Sequence, residues 1–241
     1  PRPRHPPDPP ATQAQRDRHR GGAEAAERLA VIFVAGVAAS PDWMSAMRLL
    51  ELAAERGSES ARRQTEVLDS LAGGHVISNL EQLLSPAAGV PICEDPRIWR
   101  VPGFVNAEVC NWLIERARSR LERALVYDVV NQVDYAGETR TNSAAPFSLI
   151  DADLVHLAVQ TRIAAACGVP VTHLEAPTVL HYGVGETIGD HYDFVDPAHP
   201  GYEDEIERRG TRTLTFLVYL NAAYRGGETV FPKIGIRHAG Q

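Results

Sequence analysis

From Pro177 onward the sequence breaks into short runs of β-branched and aromatic residues: TVLHYG (178–183), DHYDF (190–194), TRTLTFLVYLN (211–221), ETVFP (228–232) and IGIRHA (234–239). Gly, Pro and Asn separate these runs, the punctuation expected of short strands. Upstream, apolar residues recur at helical spacing instead. Helices followed by an all-β stretch predict an α+β fold, a sandwich or barrel packed on helices. The 241 residues suffice for one or two domains, and 44% apolar with 23% charged residues excludes a disordered or collagen-like chain.

Charge and cysteine usage narrow the function classes. The net charge of −7 provides no global basic field, so no nucleic-acid partner is expected. Cys93, Cys110 and Cys167 are far apart and form no CxxC. That sparse, odd set argues against a disulfide scaffold and suits a reducing, cytoplasmic compartment. The most apolar run, LAVIFVAGVAA at 29–39, is too short to span a bilayer, which needs about 20 residues. It reads as a buried helix, with no membrane association expected. The alternative is a secretory h-region cleaved near Ala38-Ala39-Ser40.

Along the chain, residues 1–20 are rich in Pro and Arg with almost nothing to bury, and read as a disordered tail. Residues 21–70 read as two or three helices. Ala25, Leu29, Ile32 and Phe33 form one stripe, Pro41-Asp42 a break, and Met44, Met47, Leu50 and Ala54 a second stripe ending at Gly57. The segment from Gly22 to Arg28 returns 35 residues later, from Gly57 to Arg63. With AEAAERLAVIF, Gly36, Asp42, Ala46, Ala53-Ala54 and Gly57, this segment resembles Sel1-like repeats. The resemblance implies a surface for a protein partner; an ordinary helical hairpin is the alternative. Residues 71–94 read as a linker with a short helix. Residues 95–241 form the second domain, with a strand in IWRVPGF (98–104), helices at Ala107–Leu125 and Ala152–Cys167, and then the strand-rich stretch.

The chemistry is carried by His191-Tyr192-Asp193. On an extended strand, residues i and i+2 point the same way, so His191 and Asp193 can offer an imidazole and a carboxylate to one point. One further His would complete a two-His-one-carboxylate triad, which leaves open positions on iron(II). Alone, His-x-Asp is a weak signal, since such pairs also occur at surfaces and caps. Gly183, Gly185 and Gly189 do not form a dinucleotide loop, because an aromatic strand rather than a helix follows.

The flanks are more specific. VLHYGVGETIGDHYDF, then RTLTFLVYLNAAYRGGETVFP, then DPRIWRVPGFVNAEVC at 95–110 and Arg140-Thr141-Asn142-Ser143 together resemble the prolyl 4-hydroxylase family of iron(II)- and 2-oxoglutarate-dependent dioxygenases. The resemblance spans about 95–241. It implies a double-stranded β-helix, or jelly roll, and hydroxylation of a C–H bond, in a prolyl residue of a protein or peptide. It implies iron(II), 2-oxoglutarate as cosubstrate, and ascorbate. His191 and Asp193 become two of the three iron ligands. Tyr182 becomes the hydroxyl that hydrogen-bonds 2-oxoglutarate, with Tyr219 and Leu217 facing the same pocket. Arg140 and Thr141 fall on a substrate-side loop.

The sequence also departs from that pattern. The resemblance places the third ligand, a distal His, and the Lys that pairs with the far carboxylate of 2-oxoglutarate after the strands that follow GGETVFP. The expectation is therefore that both lie beyond Gln241, with the last jelly-roll strands. His238 and His199 fall too early to replace that His, and Lys233 and Arg237 are poor replacements for the Lys. Two other readings stay open: a cupin-type metal protein, which usually shows His-x-His, and a non-catalytic interaction protein with a degenerate jelly roll.

Overall fold

Local signals set the helical half. Asp42 caps a helix by accepting from the Ser45 amide (2.9 Å), and Ser58 caps the next by accepting from the Ala61 amide (3.1 Å). The first capped helix is α2 (Trp43–Glu55) and the second is α3 (Glu59–Ala72). Both follow α1 (Gln13–Ala35), and a short α4 (Leu80–Leu84) comes after them. The structure is a computed structural model and describes residues 13–36, 40–128, 133–194, 202–203, 206–207 and 210–240. The tail expected at 1–20 lies outside these up to residue 12, and α1 takes up the chain from Gln13.

The chain forms two compact units. The first joins α1–α4 to α6 (Leu154–Cys167), with α5 (Ala107–Arg118) lying in the second. Leu154, Val155, His156, Leu157, Ala158 and Val159 of α6 are all buried, so the first half of this helix is enclosed on every side. Gln64, 3% exposed, accepts from the Leu154 amide at 3.0 Å and donates to Glu27 at 3.2 Å. Arg162, 5% exposed, donates to the carbonyls of Leu83 (2.7 Å) and Gln82 (3.1 Å), capping α4. Burial pulls the Arg162 guanidinium below its ordinary pKa. The sequence reading had grouped this helix with the strand-rich half.

Among the described residues the second unit holds four small antiparallel sheets. β1 (Val90–Cys93) pairs with β2 (Ile98–Arg100), and β4 (Val126–Asp128) with β5 (Val133–Tyr135). β8 (Thr229–Phe231) pairs with β9 (Ile236–His238). The central sheet runs β3 (Glu122–Arg123), β6 (Ser143–Pro146), β7 (Thr178–His181). Ala117 of α5 packs on Ala145 and Phe147, with Leu121 and Val179 against them.

The α+β class is observed, but none of the sheets closes, and among the described residues there is no double-stranded β-helix. Two expected strands are absent. Residues 190–194 and 211–221 make no ladder pairing, despite the alternating pattern of the second. Alternation fixes which face a strand would bury; the ladder itself needs a partner chain. The helix expected to reach Leu125 ends at Arg118, because Glu122 and Arg123 pair with Ala144 and Ser143 instead.

Candidate metal centre

A broken ladder delivers the His-x-Asp segment. β6 and β7 pair from Ser143↔His181 to Pro146↔Thr178, and beyond Tyr182 the pairing resumes at Arg140↔Ile188. The partner shifts by four residues, the length of the extruded turn Gly183–Glu186. That turn closes on itself: the Glu186 amide donates to the Gly183 carbonyl (3.0 Å), and the Gly183 amide to the Glu186 carboxylate (2.6 Å). Gly185 has φ +83°, a left-handed conformation that favours glycine. After the turn, the Thr141 amide donates to the Thr187 carbonyl (2.9 Å) and the Gly189 amide to the Thr139 carbonyl (2.7 Å).

His191 follows at once. Its Nδ1 lies 2.8 Å from the Gly189 carbonyl oxygen. A carbonyl can only accept, so Nδ1 carries the hydrogen, and Nε2 offers a lone pair in the neutral ring. Nε2 faces Asp193 Oδ1 at 3.3 Å, with each side chain about half exposed. With the ring neutral, that lone pair and the carboxylate oxygen are two donors that a cation could bridge. Two neighbouring ligands each about 2.1 Å from a metal stand about 3 Å apart, so this pair fits two adjacent metal positions. The backbone hydrogen bond on the far ring nitrogen is the support that metal-binding histidines use. Among the described residues no group of three or more His, Cys, Asp or Glu forms a metal cluster.

Asp193 is held through its main chain. Arg212 donates to the Asp193 carbonyl (3.2 Å) and grips Glu175 with two bonds of 2.6 and 3.0 Å. Tyr192, between His191 and Asp193 in sequence, accepts from Lys233, and its ring lies 5.0 Å from that of Phe194 in a tilted contact.

The other predicted residues are placed less uniformly. Tyr182 sits where β7 ends, beside the extruded turn. Burial holds its phenol above the ordinary tyrosine pKa, partly countered by the Arg140 charge. Arg140 bonds Asn142 Oδ1 (3.3 Å) and the Leu125 carbonyl (3.5 Å). The Thr141 hydroxyl accepts from the Thr187 amide at 2.8 Å. Tyr219 turns to the β8–β9 hairpin, its hydroxyl 2.5 Å from Thr229 Oγ1 and its ring edge-on to His238 at 6.2 Å. Leu217 is 54% exposed. His199 lies outside the described residues. Gly189, Thr187, Arg212 and Glu175 carry the support of the pair, roles that the sequence does not reveal because they depend on partners 19–50 positions away.

No family model matches the chain. It is 34% identical over 138 residues to an Arabidopsis thaliana protein named probable prolyl 4-hydroxylase 7, covering 57% of this chain and 42% of the relative. It is 32% identical over 158 residues to Arabidopsis probable prolyl 4-hydroxylase 6, covering 65% and 52%. Against the chicken (Gallus gallus) prolyl 4-hydroxylase subunit alpha-1 the identity is 31% over 157 residues, covering 65% and 30%. The chain is similar to prolyl 4-hydroxylases. It spans about half or less of the length of these curated relatives, and the similarity takes in about three-fifths of the chain.

Proposed function

We propose that this chain carries the core of an iron(II)- and 2-oxoglutarate-dependent dioxygenase that hydroxylates a C–H bond, in a prolyl residue of a protein or peptide. The reading rests above all on the His191–Asp193 pair, with Nδ1 tied back to Gly189 and the lone pair of Nε2 facing a carboxylate. The likeness to proteins named prolyl 4-hydroxylase supports the reaction class.

In this reading His191 and Asp193 hold iron(II). The metal with its cosubstrate supplies oxygen-dependent hydroxylation coupled to decarboxylation of 2-oxoglutarate to succinate, chemistry that no side chain can perform alone. The protein's share is to orient. Tyr182, kept neutral by its raised pKa, donates its hydroxyl to 2-oxoglutarate. Arg140, whose charge reaches Tyr182, adds positive potential on the same side. Tyr219 and Leu217 would line the 2-oxoglutarate pocket, ascorbate would serve as reductant, and the Sel1-like helical segment would offer a surface to a protein partner.

The test is iron(II)-dependent succinate release from 2-oxoglutarate in the presence of a proline-rich peptide, with His191→Ala and Asp193→Glu beside the parent protein. We expect no succinate from His191→Ala. Asp193→Glu moves the carboxylate by about 1 Å and should cost about 100-fold. Unchanged turnover in His191→Ala removes the assignment and favours a non-catalytic β-domain.

A further inference from the structure

The hydrogen bonds around residues 139–141 lead to one side chain whose effect reaches the metal pair. Thr141 holds Thr187 at both main-chain groups. Its amide donates to the Thr187 carbonyl (2.9 Å), and its Oγ1 accepts from the Thr187 amide (2.8 Å) and lies 3.2 Å from the same carbonyl. Two residues on, the Gly189 amide donates to Thr139 (2.7 Å), and the Gly189 carbonyl accepts from His191 Nδ1 (2.8 Å). Thr141 is itself anchored from behind: Arg123 donates to its carbonyl (2.7 Å) and to that of Gly137 (3.2 Å). The series Arg123, Thr141, Thr187, Gly189, His191 thus runs through hydrogen bonds and two short stretches of backbone. Residues 187–189 follow an extruded turn and belong to no strand; the pairing with 139–141 sets their conformation.

We propose that Thr141 is a positioning residue for His191: through Thr187 and Gly189 its hydroxyl fixes the tautomer and aim of the imidazole. This rests on the reading of His191 as a metal ligand and gives the Arg-Thr loop a role other than contact with substrate. Without the hydroxyl, the Thr187 amide loses its acceptor, the 187–189 segment shifts, and the Gly189 carbonyl moves off Nδ1. The ring is then free to carry its hydrogen on Nε2, donating to Asp193 and closing the position a metal would take. Outer partners of this kind typically change metal affinity by about 10–100-fold.

The experiment compares Thr141→Val, which keeps the shape and removes the hydroxyl, with Thr141→Ser, which keeps the hydroxyl, in the full chain. Nitrogen-15 NMR of the metal-free protein at a pH above the ordinary histidine range reads the His191 tautomer. Cobalt(II) titration reads metal affinity. The parent protein should show the Nδ1–H tautomer; Thr141→Val should show a mixture and bind cobalt(II) about tenfold more weakly. Thr141→Ser should restore both. Parent-like tautomer and affinity in a folded Thr141→Val overturn the proposal. If Thr141→Val does not fold, hydrogen exchange of the parent decides: slow exchange at the Thr187 and Gly189 amides supports the clamp, and exchange at the open-chain rate overturns it. If the parent binds no cobalt(II), the metal reading fails, while the tautomer still tests Thr141.

Discussion

The helical unit and the strand-rich unit satisfy their backbones in opposite ways. In the first, each helix closes its own hydrogen bonds, and the side chains fill the space between: Leu50, Leu68, Leu83 and Leu154 are each at most 1% exposed. In the second, the buried residues are confined to the stretch from Phe104 to Phe147, around α5 and the central sheet. Among the described residues after Gly168 none is buried, and the His191–Asp193 pair lies in that open part. A site there cannot draw its precision from packing. It draws it from hydrogen bonds between distant main-chain segments, Thr141 to Thr187 on one side and Arg212 to Asp193 on the other. Helical stability is local and redundant, whereas the site depends on a few long-range contacts.

That contrast can be broken most directly by paired truncations. Leu68→Ala, in a fully buried position, should cost about 2–5 kcal/mol in denaturant unfolding of the helical unit. A cost below about 1 kcal/mol would mean that the helices are not closely packed around α3. Next in size is Tyr182→Phe. Loss of a hydrogen bond to an ionised carboxylate, worth about 1.5–3 kcal/mol, should raise the KM for 2-oxoglutarate about 10–100-fold. An effect on the peptide KM instead would place Tyr182 on the substrate side. Because the folded pKa of Tyr182 is raised, its neutral hydroxyl persists beyond the ordinary tyrosine range. The stability tied to that shift is present below the unfolded pKa of about 10 and is lost only as pH rises through the higher folded value.

Gln64→Leu sharpens the comparison from the polar side. It leaves the Leu154 amide without its acceptor inside the helical unit and should cost about 1–3 kcal/mol. Leu217→Ala is the smallest expected effect. At 54% exposure the side chain has little to lose, and a shift within about 0.5 kcal/mol is expected. A large loss there would show that the 211–221 segment is packed in solution.

How legible each region was follows from the same physics. The caps at Asp42 and Ser58 and the left-handed stop at Gly168, with φ +67°, are local signals, so the presence of helices was legible, but their ends less so: α1 begins inside the expected tail and α5 stops seven residues before Leu125. α6 was legible as a helix, but its all-round apolar surface says only that it is enclosed, not by what. β7, β8 and β9 appear where β-branched runs end in Gly or Pro. The 211–221 run has the pattern of a strand without a ladder, since pattern carries propensity and a partner carries the bonds. His191 and Asp193 are legible only together with their flanks, since His-x-Asp by itself is a weak signal. The roles of Thr187, Gly189 and Arg212 are not legible even so, because they are decided by segments 19–50 residues away, and the four-residue turn at 183–186 hides the register that joins them.

The central claim is that His191 and Asp193 face one another to hold a divalent metal. The most direct measurement is isothermal titration of the full chain with iron(II) under anaerobic conditions, alongside His191→Ala and Asp193→Ala. The account predicts one binding event in the parent chain, lost in both variants. Binding of unchanged strength in either variant, or none in the parent at any pH, would contradict it.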